Sequence, residues 1–427
     1  MPRFARACRQ VVASLLALIA VTLAVSPVAH ANPAFARQYE MSCSACHAAF
    51  PRLNSFGEQF LANNIRLPNW REALGVDTGD ERLMLPRFPQ FAVRAQAYVQ
   101  AREAQAYDST SLAPTTTADP GADFQSPYLI KLLSGAPLSD HISYYFYAIF
   151  AEKGGNGETI VEDAWFTHDD VFGTGTNMML GQFQVSDFMF ARETRLTVQD
   201  FVPYRMAGIT YERGVTFDRD LGPISVALGL VNGNGIEANQ KINSAGFGRP
   251  DRAFDNNSSK TVFGHLGTEI GPVGMGLFVL TGQQRNAADT ADSDKRVLGL
   301  DLSGNKDERI FWFAQFLWNQ WDDFLAQGER ADWFAAFAGI DYVMNDYWTF
   351  SVLYNYGDAN DLANSGTVYE GVDLNSFTAT ASYYFMRNIK GVMEVNVDLL
   401  SVDANPTDGV GHDTKEGYLL MGFDAAF

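Results

Sequence analysis

The sequence has little cysteine, fewer basic than acidic residues and no apolar run as long as a membrane-spanning helix. Its 427 residues include only 3 Cys, which excludes a disulfide scaffold. The 31 Lys and Arg against 50 Asp and Glu give a formal charge of −19, so we expect no nucleic-acid partner, because such a surface repels phosphate backbones. The mean hydropathy of −0.11 argues against a helical membrane protein.

The first 31 residues have the pattern of a signal peptide. Three arginines precede an apolar run from Val11 to Val25, and Ala29-His30-Ala31 follows as a small-residue cleavage signature. The run is shorter than the about 20 residues of a membrane-spanning helix, although an N-terminal anchor is the alternative. We therefore predict export, and a mature protein that is periplasmic, secreted or an outer-membrane barrel.

The two cysteines beyond the signal peptide lie in one motif, Cys43-Ser44-Ala45-Cys46-His47. This is the C-x-x-C-H pattern of covalent haem c attachment, in which two thiols add to the haem vinyl groups and the adjacent imidazole binds iron. The alternatives are a redox dithiol, which expects a βαβ context, and a zinc site, which needs two more ligands nearby. The sequence supplies neither, so it predicts one haem c, held by Cys43 and Cys46, with His47 as the iron ligand.

The residues after the motif predict a small helical wrapper for the haem. Apolar residues recur at about helical spacing between Phe50 and Ile65, and Pro51 suits the first turn of a helix. The second axial ligand stays open: Met84 is the nearest downstream methionine, a pentacoordinate iron is possible, and the other histidines beyond the signal peptide are His141, His168, His265 and His412.

After Pro89 the pattern changes to period two. Apolar Phe91, Val93 and Val99 alternate with polar Arg94 and Gln96, as in a strand with lipid outside and water inside. Similar runs give about sixteen strands, an even number as single-chain bacterial barrels require. The connections between them alternate between long segments and tight turns, and the last strand ends on a terminal aromatic residue, Phe427. A soluble β-sandwich or a propeller is the alternative.

Two further features of the barrel region carry expectations. Aromatic residues near strand ends would form the interface girdles of a membrane barrel; they are Tyr144, Trp165, Trp312, Trp318, Trp321, Trp333, Tyr347, Trp348, Tyr383 and Tyr384. The long mixed segment 185–206 either folds into the lumen or forms an external loop, and the sequence favours neither.

The predicted fold is all-β: an outer-membrane antiparallel β-barrel of about 16 strands, preceded by a small α-helical monohaem cytochrome c domain. The predicted boundaries are 1–31 for the signal peptide, 32–86 for the haem domain and 87–427 for the barrel.

This combination resembles the fused monohaem cytochrome-porin family, the outer-membrane iron oxidases of iron-oxidising bacteria. The likeness is strongest around the haem motif, in Met41-Ser42-Cys43-Ser44-Ala45-Cys46-His47 and Phe50-Pro51-Arg52-Leu53-Asn54, with Gly57 and Phe60 beyond. It implies thioether bonds at Cys43 and Cys46 and proximal iron ligation by His47. Asn63-Asn64-Ile65 stands where many members have a glycine followed by an aromatic residue.

The resemblance implies electron transfer at the outer membrane. The expected activity takes electrons from an extracellular donor, foremost Fe(II), onto the haem and passes them to a periplasmic carrier such as a soluble cytochrome. That is an iron(II):cytochrome c oxidoreductase working by outer-sphere transfer, with the barrel in outer-membrane lipid and the haem domain in the periplasm or the lumen. The alternative is a solute porin with a redox-sensing haem plug.

Overall fold

The computed structural model describes most of the chain after the predicted signal peptide. The described residues are 34–67, 75–86, 90–108, 113–116, 122–152, 159–236, 255, 257–359, 362, 374–386, 388–399 and 414–427. The predicted signal peptide and His412 lie outside them. No helix among these residues has the length and apolar character that crossing a membrane would need.

Sixteen antiparallel strands of the described chain close into one barrel. They are β1 (Phe91–Asp108), β2 (Ala122–Pro137), β3 (Ile142–Glu152), β4 (Ile160–His168), β5 (Asn177–Gln184), β6 (Tyr211–Leu221), β7 (Ile224–Val231), β8 (Thr261–Ile270), β9 (Val273–Arg285), β10 (Asp292–Lys306), β11 (Ile310–Asp322), β12 (Arg330–Val343), β13 (Trp348–Asp358), β14 (Leu374–Met386), β15 (Ile389–Asp398) and β16 (Thr414–Ala426). A further short strand, Ala113–Thr116, pairs with the end of β1. The last strand closes the barrel by pairing with β1, from Ala426 opposite Arg94 to Thr414 opposite Ala106. The predicted barrel and its strand number are confirmed.

The outside of the barrel is apolar, as the alternating pattern predicts. On β1, Phe91 is 52% exposed whereas Gln96, on the other face, is buried. Exposed apolar side chains continue around the wall, among them Leu228, Leu230, Val262, Leu266, Leu298, Leu300, Ile340, Val395 and Phe423. Strand pairing satisfies the backbone while these side chains face outward, which is what a barrel in hydrocarbon requires.

The two ends of the barrel differ in their connections. Tight turns join β8 to β9, β10 to β11 and β12 to β13, all at one end, whereas the segments 185–210, 232–260 and 399–413 connect strands at the other. In outer-membrane barrels the short turns lie on the periplasmic side. Tyr347, Trp348 and Tyr383 cluster at this short-turn end, with ring centroids of Trp348 and Tyr383 4.8 Å apart.

Part of the lumen is filled by an aromatic core. The rings of Phe201 and Phe337 stack 4.5 Å apart at an angle of 4°, and Leu317 of β11 packs fully buried in the same cluster. Trp321 and Trp333 belong to this core and are 0% and 2% exposed. Their assignment to an interface girdle was therefore wrong: both residues face inward, because a chain segment inside the barrel gives them something to pack against.

That segment is the constriction loop, residues 185–210 between β5 and β6, which folds into the lumen. It contains the helix α4 (Val202–Ala207), and its backbone is held by the wall. Val198 N and Gln199 N donate to the Glu394 carboxylate at 2.6 and 2.8 Å, and Asn355 Nδ2 donates to the Asp200 carbonyl at 3.1 Å. Of the two interpretations of 185–206, the structure selects the lumenal one.

We predict that Glu394→Ala loosens the constriction loop without opening the barrel. The substitution leaves the amides of Val198 and Gln199 without their acceptor, which costs about 1–3 kcal/mol. Hydrogen exchange at these two amides should accelerate by about one to two orders of magnitude. Glu269→Ala, at an exposed position on β8, is the matched control and should leave both amides protected. Unchanged exchange in Glu394→Ala would show that the loop is held by other contacts.

The described residues before the barrel form three short helices and two small ribbons. The helices are α1 (Ala34–Gln38), α2 (Cys43–Cys46) and α3 (Ser55–Ala62). His47–Ala49 pairs with Arg52–Leu53, and Gly75–Asp77 pairs with Met84–Pro86. The helix expected between Phe50 and Ile65 is therefore shorter than predicted. Pro51 does not start it; Pro51 lies in the turn of the first ribbon, and Asn54 caps the helix instead.

Candidate functional site

The haem motif begins as a single helical turn. Cys43 and Cys46 are the ends of α2, and both are free, half-buried thiols. The Ala45 amide donates to the Ser42 carbonyl at 3.0 Å, which tightens the turn. Two thiols separated by one turn of helix, followed directly by His47, provide the donor set that haem c attachment needs.

His47 is oriented by the backbone of the residues that follow it. Its Nδ1 donates to the Pro51 carbonyl at 3.1 Å, across the turn of the first ribbon. This bond places the imidazole proton on Nδ1 and leaves the lone pair of Nε2 for a metal, the usual arrangement of a ligating histidine. The ring also packs edge-on against Phe50, with centroids 5.2 Å apart. The geometry of His47 therefore fits the predicted role of iron ligand.

The ionisation of His47 agrees with this role, and both neighbouring cysteines are thiols rather than thiolates. Burial lowers the pKa of His47, and the Lys390 ammonium lowers it further, against the opposing effect of hydrogen bonds to the backbone of Pro51 and Arg52. Burial raises the pKa of the Cys43 thiol and the pKa of the Cys46 thiol. His47 is thus neutral at pH 7, the form in which an imidazole binds a metal.

Helix α3 fixes the position of the motif. Asn54 joins the two: its side-chain amide donates to the Ala45 carbonyl at 3.1 Å, its backbone amide donates to the Cys46 carbonyl at 3.0 Å, and its side-chain oxygen caps α3 at the Gly57 amide. Gly57 lets the helix approach closely, since a Cβ there would lie 2.1 Å from the Cys46 carbonyl oxygen.

We predict that Gly57→Ala displaces the haem motif from α3. A methyl group has no room against the Cys46 carbonyl, and overpacking of this kind costs about 1–3 kcal/mol. With the haem c that the sequence predicts, the variant should carry less than half as much covalent haem per barrel, measured by the absorbance of the pyridine haemochrome. Ser55→Ala, at an exposed position of the same helix, should bind as much as the unchanged protein. Equal haem content in Gly57→Ala would show that the close approach is not needed.

The segment that carries the motif lies in the short-turn mouth of the barrel. The Phe50 carbonyl accepts hydrogen bonds from Lys390 Nζ at 2.8 Å and Tyr384 Oη at 3.2 Å. Beyond α3, Asn64 Nδ2 donates to the His141 carbonyl, and Ser143 Oγ donates to the Asn64 carbonyl, each at 2.8 Å. The four partners lie on strands or turns at this end, so residues 34–67 occupy the mouth.

Arg52 connects the motif with the wall and the constriction loop. Its guanidinium pairs with the fully buried Asp341 of β12, with Nε 2.9 Å from Oδ2, and donates to Thr194 Oγ1 of the loop at 3.3 Å. It also lies over the ring of Phe190 at 5.2 Å. Arg52 belongs to the segment from Phe50 to Asn54 that shares the family resemblance, but nothing in the sequence assigns it a role. The available signal was Asp341, a carboxylate on the otherwise apolar face of β12 that Ala335 and Phe337 share.

The candidates for a second axial ligand are dispersed. Met84 lies on the second ribbon, opposite Asp77. His141 and His168 stack on each other at 5.5 Å in the rim, and His265 pairs with Asp301 at 2.9 Å on the lumenal wall. Among the described residues, no group of three or more His, Cys, Asp or Glu side chains is placed to hold a metal ion. The second axial ligand stays unassigned.

Comparisons with known proteins identify the fold. No family model matches the chain, and no curated protein matches it. Solved structures do: OmpF of Salmonella typhi, in a complex with daunomycin, superposes with a TM-score of 0.51 at 12% identity, over 79% of this chain and 97% of that one. The outer membrane channel DcaP of Acinetobacter baumannii gives 0.51 at 13% identity, over the same shares. The protein therefore has the sixteen-stranded barrel fold of outer-membrane porins.

Proposed function

We propose that this protein is an outer-membrane cytochrome-porin that oxidises an extracellular donor, foremost Fe(II). Cys43 and Cys46 would hold one haem c by thioether bonds, and His47 would bind its iron. When bound, the haem supplies reversible one-electron exchange. The final acceptor of the electron would be a periplasmic carrier such as a soluble cytochrome.

The observation that carries the proposal is the orientation of His47 within the mouth of a porin-type barrel. Its Nδ1 is held by the Pro51 carbonyl, and its segment is anchored to the wall through Phe50 and Arg52. A C-x-x-C-H motif in this setting has its histidine oriented for a metal, with both half-buried cysteines beside it at the short-turn end of the barrel. The predicted signal peptide agrees, since haem c attachment in bacteria takes place outside the cytoplasm.

The barrel gives an extracellular donor a path across the membrane to the motif. A bilayer core is about 30 Å thick, and a site in the short-turn mouth lies at its periplasmic edge. A donor from outside therefore has to enter the lumen, where the protein excludes lipid. The formal charge of −19 favours cations near the surface.

The reaction needs no acid, base or bound substrate intermediate. Fe(II) loses one electron and becomes Fe(III), the periplasmic carrier gains one, and no bond or proton is transferred. The residues of the chain position the partners and keep them apart.

A solute porin with a redox-sensing plug is the second candidate. A cavity of about 410 Å³ between the constriction loop and the wall favours it, because this cavity is lined largely by polar groups. In that case solute flux through the barrel, and not the rate of iron oxidation, would depend on the redox state.

Stopped-flow mixing tests the proposal. Oxidised full-length protein in detergent is mixed anaerobically with ferrous sulfate while the haem absorption bands are recorded. We expect reduction at a rate that rises with iron concentration, and its loss in His47→Gln. Arg219→Gln changes an exposed side chain of β6 that has no assigned role, and it is the control with an unchanged rate expected. Reduction by dithionite but not by Fe(II) would exclude iron as donor, and a preparation without covalent haem would exclude the cytochrome altogether.

A further inference from the structure

The lumen contains a cavity that leads from the extracellular half of the barrel toward the haem motif. It has a volume of about 410 Å³, within the range of ligand pockets, about 300–1,000 Å³. Its lining extends from Asn396 to Arg94. Asn396 pairs with Tyr418, and Tyr418 pairs with Arg102 of β1, so Asn396 lies level with Arg102. From Arg102 to Arg94 the cavity therefore runs along β1 for about 26 Å, at about 3.3 Å per residue.

The floor of the cavity adjoins the predicted haem ligand. Arg94 Cζ lies 5.3 Å from the centre of the Phe50 ring, and the Phe50 ring lies 5.2 Å from the ring of His47. The side chains of Arg94 and Phe50 therefore form a continuous series of contacts from the floor of the cavity to His47.

Three of the four carboxylates that line the cavity have partners in the protein: Glu162, Glu193 and Asp200. Glu162 accepts from Tyr211 Oη at 3.0 Å and lies 4.0 Å from Arg192 Nη1. Glu193 accepts from Lys131 Nζ at 3.0 Å, and Asp200 is held by Arg192 at 2.7 Å and by Arg195 at 3.5 Å. A carboxylate that is neutralised by a cation has little attraction left for a metal ion. The cavity is thus a poor trap for a hydrated cation, although the whole chain is strongly acidic.

Two arginines of the cavity lining, Arg195 and Arg205, in contrast keep hydrogen-bonding capacity that the surrounding residues do not use. Arg195 Nε is buried without a hydrogen-bond partner, and Arg205 of α4 is exposed. Within the described residues no carboxylate oxygen forms an ion pair with Arg205. Guanidinium groups with free N–H donors select planar oxyanions such as carboxylates.

We propose that this cavity binds a small anion with several carboxylate groups, held by Arg195 and Arg205 above the floor at Arg94. The redox part of this inference rests on the proposed function. In it, the anion carries ferrous iron into the cavity as a chelate, and this chelate is the electron donor. The chelate loses one electron to the oxidised haem c proposed at Cys43, Cys46 and His47, keeps its ligands and leaves as the ferric chelate. The hydrated ferrous ion is the poorer donor.

Isothermal titration calorimetry tests the binding site without any haem reaction. Trisodium citrate is titrated into the full-length protein in detergent at low ionic strength. We expect one saturable site, an affinity at least about tenfold lower in the double variant Arg195→Gln, Arg205→Gln, and an unchanged affinity in Arg296→Gln, which alters an exposed arginine of β10. Circular dichroism melting checks that the variants are folded. The absence of saturable heat, or an equal affinity in the double variant, would overturn the inference.

Haem reduction separates this inference from the proposed function. Ferrous citrate should reduce the oxidised protein faster than ferrous sulfate at equal iron, and the double variant should remove the advantage. Equal rates for both salts, unaffected by the two arginines, would overturn the redox part while leaving the iron oxidase intact. A protein without covalent haem that still binds citrate would refute the proposed function and keep the site.

Discussion

Replacing Cys43 and Cys46 together by serine should give a folded barrel that carries no covalently bound haem. Serine oxygen does not form the thioether bonds to the vinyl groups, so the expected loss is complete. The barrel should survive, because its closure depends on strand pairing between β1 and β16 and not on the two half-buried thiols. Arg52 and Asn64 would still hold the segment in the mouth.

A denaturing gel stained for haem measures this result. The unchanged protein should show a haem-stained band at its own mass, and the double variant should show none. Cys8→Ser removes the cysteine of the predicted signal peptide and should leave the stain unchanged. Barrel folding is followed by the shift in gel mobility between heated and unheated samples. A stained band in the double variant would contradict covalent attachment at this motif, and with it the proposed cytochrome.

Arg52→Met should have the largest effect on the stability of the barrel with residues 34–67 in its mouth. It leaves the Asp341 carboxylate fully buried without its cation, and the loss of one partner of a buried ion pair costs about 3–5 kcal/mol. It also removes the bond to Thr194, which joins the haem-motif segment to the constriction loop. We therefore expect a lower free energy of unfolding in denaturant and a higher single-channel conductance, as the segment leaves the mouth.

Two further variants show whether the ion pair is the cause. Arg52→Met with Asp341→Leu removes both charges and should recover most of the lost free energy, since no buried charge is left alone. Arg285→Met breaks a surface pair with Asp289 and Asp292, where the expected cost is about 0–1 kcal/mol. If Arg52→Met has the same free energy of unfolding and the same conductance as the unchanged protein, Arg52 does not anchor residues 34–67 in the mouth.

The barrel could be predicted because lipid imposes a simple rule on its strands. Along β1 and β16 one face is apolar and the other polar, and the exposed Phe91 and Phe423 confirm the predicted orientation. The tight turns gave the strand number, since chain length between turns is fixed by the thickness of the bilayer. The C-x-x-C-H pattern is also visible in the sequence, because its three residues are neighbours in the chain, but the haem it predicts stays a prediction.

The same rule failed on β11 and β12, where both faces are apolar. Phe334 and Ile340 on one face of β12 are as hydrophobic as Trp333 and Phe337 on the other, so alternation alone does not identify the lipid side. The structure decides it, because the constriction loop supplies Phe201 as an inward packing partner. The girdle assignment of Trp321 and Trp333 failed for this reason.

The sequence by itself determined the local and periodic features of this protein: the C-x-x-C-H motif, the alternating strands and the turns between them. These features depend only on neighbouring residues, or on the rule that apolar side chains of a membrane barrel face the lipid. They can therefore be predicted without knowing how distant parts of the chain pack. Only the tertiary structure placed the constriction loop in the lumen, brought Arg52 to Asp341, and set Arg94 and Phe50 between the cavity and His47. Arg52 and Asp341 are 289 positions apart and Arg94 and Phe50 are 44 apart, so these contacts exist only once the barrel has closed around the segments in its lumen and mouth.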